Sequence, residues 1–231
     1  METIYYITFI LTRMKSVNSK KSQNYRLDFF GILAFIVFSV LTFISLSLYP
    51  GHYSIAFNWL SNLGNVYLNP QGAIYFNMAC IITGIILIQF MIQFYRWDTG
   101  KLLERILLAL AIILGIFASI SLIFVGVFPE NDIQIHIMAA TGVFETLFLT
   151  IILMTGAIFN HAKFMISVAL IGVIAVIIDL FFLTILYLPR YHEVLATPNP
   201  TLPIPGLEWA VVFSSLFWLA ALSYNMYKMK I

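Results

Sequence analysis

The chain has 231 residues, 61% of them hydrophobic and only 10% charged, with 21 phenylalanines and a formal net charge of +2. Soluble domains run at roughly 45–50% apolar and about 25% charged residues, so this composition excludes an ordinary soluble fold and implies an integral membrane protein. No nucleic-acid partner is expected from so small a positive charge.

Taken in chain order, the first apolar stretch is IYYITFIL, residues 4 to 11, followed by Arg13, Lys15, Lys20, Lys21 and Arg26. It is too short to cross a hydrocarbon core about 30 Å thick, and it lacks the basic start and small-residue cleavage site of a secretory signal. Two readings stay open: a short interfacial helix held on anionic lipid by the basic cluster, or translation beginning at Met14. Six apolar blocks follow, over residues 29–48, 72–95, 106–128, 135–159, 164–188 and 207–227. Each is about the 20 residues that a helix rising about 1.5 Å per residue needs to span. Barrel strands would instead show about ten residues of alternating polarity, which the sequence does not. The expected fold is therefore an all-α bundle of six transmembrane helices, with residues 1–28 a basic cytoplasmic segment, 29–227 a single membrane domain and 228–231 a tail.

Connections are short except for residues 49–71 and 189–206, which an even number of spans places on one side. Eleven of the twelve basic residues, among them Arg96, Lys101, Arg105, Lys163, Lys228 and Lys230, fall on the opposite side, and only Arg190 joins the long loops. An excess of Lys and Arg marks cytoplasmic flanks. Both termini are accordingly expected in the cytoplasm, the two long loops outside, and the plasma membrane is the expected location. Cys80, the single cysteine, falls in the second span and excludes an internal disulfide or a cysteine-based metal site.

The outer side then collects His52, His136, His192, Glu130, Asp132, Glu193 and Glu208. Histidine with carboxylate is a ligand set for zinc or a similar ion, yet the histidines come from three loops and show no paired helical spacing. A rim binding lipid headgroups, and a merely solvated rim with Asp132 favouring a helix N-terminus, are the alternatives to a metal site. No cofactor or metal is assigned. Deeper lie Glu145 and Asp179, both expected roughly 13–15 Å below the outer surface. Charged groups at that depth usually face the bundle interior and mark a site; if the two meet they can share a proton, and if not, Thr141 is the local partner expected for Glu145. The loop of residues 49–77, YPGHYSIAFNWLSNLGNVYLNPQGAIYFN, has no charge. Ser54, Asn58, Ser61, Asn62 and Asn65 offer neutral donors and acceptors to a headgroup, while Trp59 and the tyrosines suit the interface. The same loop also reads as a plug satisfying its own backbone between helix ends. The proline-rich PNPTLPIPG at 198–206 reads as a stiff extended connection.

Three elements in order carry a resemblance: Ser61, Leu63 and Gly64 after the first span, Phe76 and Asn77 in the second, and Gly126, Phe128, Pro129 and Glu130 leading to His136. Together they resemble the prokaryotic membrane family catalogued as domain of unknown function 998, over residues 29–227. The SNLGN stretch is also distantly similar to the Frag, DRAM and Sfk family, whose members are associated with lipid handling. The first resemblance implies architecture rather than chemistry. Two function classes follow. One is an accessory protein binding lipid headgroup or a membrane-protein partner through Ser61, Asn62, Gly64, Asn65, Asn77 and His52. The other is a membrane-embedded lipid hydrolase or transferase, with or without a metal ion, using His136 with Glu130 or Asp132. A small transporter carrying protons on Glu145 and Asp179 is a third reading.

Overall fold

The computed structural model describes residues 28–97, 102–159, 164–188 and 204–229. Among these, six helices are long and apolar enough to cross a membrane: α1 Phe30–Ser47, α2 Ala73–Ile92, α3 Leu102–Val127, α4 Ile133–Phe159, α5 Ile166–Leu186 and α6 Ile204–Met229. No strand occurs among the described residues, and the protein is a multi-pass membrane protein. A short 3-10 segment, Gln93–Arg96, extends α2, and another, Leu60–Gly64, lies in the first long loop. The expected interfacial helix, the choice of start codon, Arg190, His192 and Glu193 fall outside the described residues.

The helix bounds agree with the apolar blocks to within about a turn. α3 begins at Leu102 rather than Ile106, and α6 begins at Ile204, inside the stretch expected to be an extended connection. Pro205 explains the second difference. It occupies the first turn of α6, where its missing N–H would find no partner anyway and its fixed φ suits the helix.

Each helix packs on its neighbours in the chain, and α6 returns to α1, closing a ring of six. Only about a third to a half of each spanning stretch is buried; Ile36, Val40, Ile113, Phe117, Ile174 and Phe181 are among the large apolar residues left on the outside. In a bilayer that surface faces lipid tails, so the gain comes from close packing inside the ring rather than from leaving water. Gly126 shows how close: a Cβ there would meet the Asn77 carbonyl oxygen and the side chains of Ile81 and Cys80. Tight α2–α3 contact is what this glycine allows.

The two ends of the ring are closed differently. At the end carrying both described termini, the Arg96 guanidinium donates to Asp28 (2.8 Å) and to Gln93 (3.0 Å), while the Ser223 hydroxyl donates to the Asp28 carbonyl. A line of edge-on aromatics, Phe90–Phe94–Trp97–Phe164, with centroids 4.9, 4.3 and 4.3 Å apart, carries the end of α2 across to the start of α5. The opposite end is covered by the loop of residues 48–72. Beneath that loop lies a partly open cavity of about 60 Å3 lined only by apolar side chains, including Phe38, Leu60, Cys80, Val143, Val211 and Leu219.

Candidate functional site: a polar clasp over an apolar chamber

Leu60–Gly64 packs against α1, α2 and α6 and presents Leu60 and Leu63 downward, both essentially buried. A short 3-10 helix leaves most of its backbone groups without internal partners, and here they are met from below. Glu208, in the second turn of α6, accepts from the Leu60 N–H at 2.6 Å and also from the Ser61 N–H. The Leu63 carbonyl accepts from the Ser45 hydroxyl (3.2 Å) and from Asn69 (3.0 Å). The Gly64 carbonyl accepts from Asn77 (3.2 Å). Gly64 permits this approach, since a Cβ there would collide with the Asn77 amide oxygen and the Phe76 ring.

Asn62 and Asn65 complete the clasp from the side. Asn62 donates to both carboxylate oxygens of Glu130, at 3.0 and 2.9 Å, and Asn65 donates to one of them at 3.2 Å. The Asn65 amide oxygen accepts from Tyr67 N–H (2.9 Å) and from Asn131 (3.0 Å), folding the chain into the next turn. Glu130 and Asn131 belong to the α3–α4 turn, so GVFPEN and SNLGN, more than 60 residues apart in sequence, form one hydrogen-bonded body.

Tyr53 ties the loop to α6: its hydroxyl donates to the Trp59 carbonyl at 2.8 Å and accepts from the Trp209 indole at 3.1 Å. Burial pushes the Tyr53 phenol above its ordinary value near 10, and the Glu208 and Glu130 carboxylates reinforce that rise. Tyr49 is raised by partial burial and by Glu130.

The remaining candidates scatter. His136 is buried at the start of α4, its Nδ1 3.0 Å from the Phe128 carbonyl oxygen. A carbonyl only accepts, so Nδ1 carries a proton and the ring is fixed against the α3–α4 turn. Asp132 is exposed just ahead of α4, and His52 is exposed in the loop. Among the described residues no three of His, Cys, Asp and Glu converge. Glu145 and Asp179 do not form a pair. Glu145 accepts from the Tyr187 hydroxyl rather than from Thr141, and this bond raises the Tyr187 phenol. Asp179 is fully buried elsewhere, with neither oxygen bonded.

Several groups in the clasp carry no signal that a reading of the loop alone finds. Asn69 donates to the Ser45 carbonyl (3.2 Å) and hydroxyl (3.0 Å) besides Leu63, and accepts from Gly72 N–H (3.1 Å). Its Asn-Pro context marks only a turn. Glu208 is visible as an acid near the start of an apolar span, but its partner is 148 residues away.

A helical ring closed by a polar clasp defines the class: a six-helix, multi-pass membrane protein with a capped interior. The family described as "Protein of unknown function (DUF998)" matches residues 32–225, and the chain belongs to it. No curated protein and no solved structure matches the chain.

Proposed function

We propose that this protein binds a membrane lipid at its looped end, without catalysing a reaction on it. In this reading the loops face outward from the plasma membrane, the termini lie in the cytoplasm, and the headgroup meets the clasp of Asn62, Asn65, Glu130 and Asn131. The observation that carries the reading is the joining of that clasp to the apolar chamber by one residue, Leu60. Its backbone is held by Glu208, while its side chain roofs the cavity.

A volume of about 60 Å3 is well below the roughly 150 Å3 that accommodates a benzene ring. The chamber at this size admits no lipid chain, and in this reading lifting of Leu60–Gly64 enlarges it. The hydrogen bonds that hold the segment contribute on the order of 1 kcal/mol each. Together they amount to several kcal/mol, and a lipid shifts the equilibrium by binding the lifted form more tightly by a comparable amount. Exposed Ile55, Phe57, Val66 and Leu68 on the same loop keep the lifted segment within the apolar layer.

The test is native mass spectrometry of protein purified in mild detergent. Wild-type protein should retain lipid, and Ala140→Phe, which fills the chamber from α4, should lose it while keeping its helical spectrum. Equal lipid retention by the two proteins would contradict the proposal.

A further inference from the structure

Polar groups of the spanning helices are satisfied unevenly. The hydroxyls of Ser119, Thr146, Thr150 and Thr184 each donate to the carbonyl one turn back in their own helix, at 2.6 to 2.7 Å, the usual way such side chains are satisfied in a membrane span. Other buried side-chain atoms have no hydrogen-bond partner, Thr42 on α1 and Thr83 on α2 among them, and one set lies on facing sides of α4, α5 and α6. It comprises both Asp179 oxygens, the hydroxyls of Ser215 and Thr155, and the Trp218 indole N–H. Asp179, Ser215 and Trp218 are each 0% exposed.

Packing brings these groups into one strip. A Cβ on Gly172 would touch both the Thr155 hydroxyl and the Trp218 indole nitrogen, which sets one level of the α4–α5–α6 contact. Nearer the looped end, Phe182 packs on Phe144 and Val211, which sets another. Asp179 lies on α5 between Gly172 and Phe182, and Ser215 lies on α6 between Trp218 and Val211. Carboxyl and hydroxyl therefore occupy the same stretch of the α5–α6 interface.

No protein cation reaches that stretch among the described residues. Arg96 is held by Asp28, and Arg105 and Lys228 stand at the terminal end of the ring. The titratable groups on the flanking helices also turn elsewhere: on α4, Glu145 to Tyr187 and His136 to Phe128; on α6, Glu208 to Leu60. A lone ionised carboxylate is the least tolerable occupant of a membrane interior, and buried charges are found paired or holding a metal ion.

We propose that Asp179, with the Ser215 hydroxyl beside it, forms a binding site for a small monovalent cation, a proton or an alkali metal ion. One carboxylate supplemented by hydroxyl oxygens is a hard, singly charged donor set. It lacks the nitrogen or sulfur ligands that hold zinc or copper and the several carboxylates that hold calcium. Trp218 can only donate, so it does not ligate the cation; it lies in the same strip and reports on it. The site is separate from the clasp and stands independently of the lipid-binding reading.

The experiment follows thermal unfolding of the full-length protein in detergent. One series varies sodium against choline at fixed ionic strength, and another varies pH without sodium. A ligand that binds only the folded state raises the unfolding temperature with its concentration. Stabilisation by sodium identifies an alkali ion; stabilisation on acidification alone identifies a proton. Either dependence should vanish in Asp179→Asn, which keeps the shape and removes the charge. Ser215→Ala should weaken the apparent affinity roughly tenfold, and it carries the test if Asp179→Asn does not fold. The emission of Trp218, isolated by subtracting Trp218→Phe, should shift with the same ion. Indifference of the wild-type protein to both ions would overturn the proposal, as would a dependence unchanged by the Asp179 and Ser215 substitutions.

Discussion

The clasp and the Asp179 strip are built from the same kinds of side chain, carboxylate, amide, hydroxyl and indole, but they end in opposite states. In the clasp nearly every polar atom has a partner: Glu208 takes two backbone N–H groups, Glu130 takes two asparagines, and Asn69 bonds α1, the loop and the start of α2 together. In the strip a carboxyl, two hydroxyls and an indole face one another's helices without a bond. Satisfied polar networks rigidify a fold, whereas unsatisfied ones are costly unless something else completes them. The two regions thus separate by what a ligand must do: in the clasp it exchanges bonds that already exist, and in the strip it supplies bonds that are missing.

If that separation is right, substitutions in the clasp act first on stability. Asn69→Ala should have the largest effect, about 3 kcal/mol, because it removes four hydrogen bonds at a fully buried position and leaves the Gly72 N–H without its acceptor; a denaturant or thermal midpoint in detergent measures it. Glu208→Ala should cost about 2 kcal/mol by leaving the Leu60 and Ser61 N–H groups unmet, and it should also open the loop to limited proteolysis.

Tyr53 supplies a pH signature. Its phenol is raised in the folded protein, so the folded state keeps a proton that the unfolded chain loses near pH 10. The stabilisation is complete below that value and declines as pH climbs past it. Tyr53→Phe should therefore be the less sensitive protein in an alkaline unfolding series. Tyr187→Phe should give the smallest effect, within about 0.5 kcal/mol, because that hydroxyl is largely exposed and joins Glu145 at the rim of the bundle.

The spans were readable because length and hydropathy are local properties, and the mismatch at Ile204 arose where a proline admits two readings, stiff connection or first helical turn. The clasp was readable in pieces. SNLGN and GVFPEN both stand out in the sequence, and a loop satisfying its own backbone between helix ends was one of the alternatives it left open. Nothing local says that Asn62 and Asn65 reach Glu130, because that pairing depends on how the ring closes. Glu145 and Asp179 make the same point within the membrane. Depth along a helix follows from counting residues, but the direction a side chain faces depends on packing, which turns Glu145 to the rim and Asp179 to the interior. Of the three outer histidines, His192 lies outside the described residues, His52 is exposed in the loop and His136 is buried at the start of α4.

The central claim, that Leu60–Gly64 is a movable roof over an apolar chamber, can be tested with a native probe. Cys80 is the only cysteine and lines that chamber, so its rate of alkylation by a membrane-permeant maleimide reports opening directly. Labelling should be slow in the wild-type protein, at least tenfold faster in Glu208→Ala, where the roof loses about 2 kcal/mol of restraint, and slow again once lipid is added to that variant. Equal labelling rates in the two proteins would contradict the account.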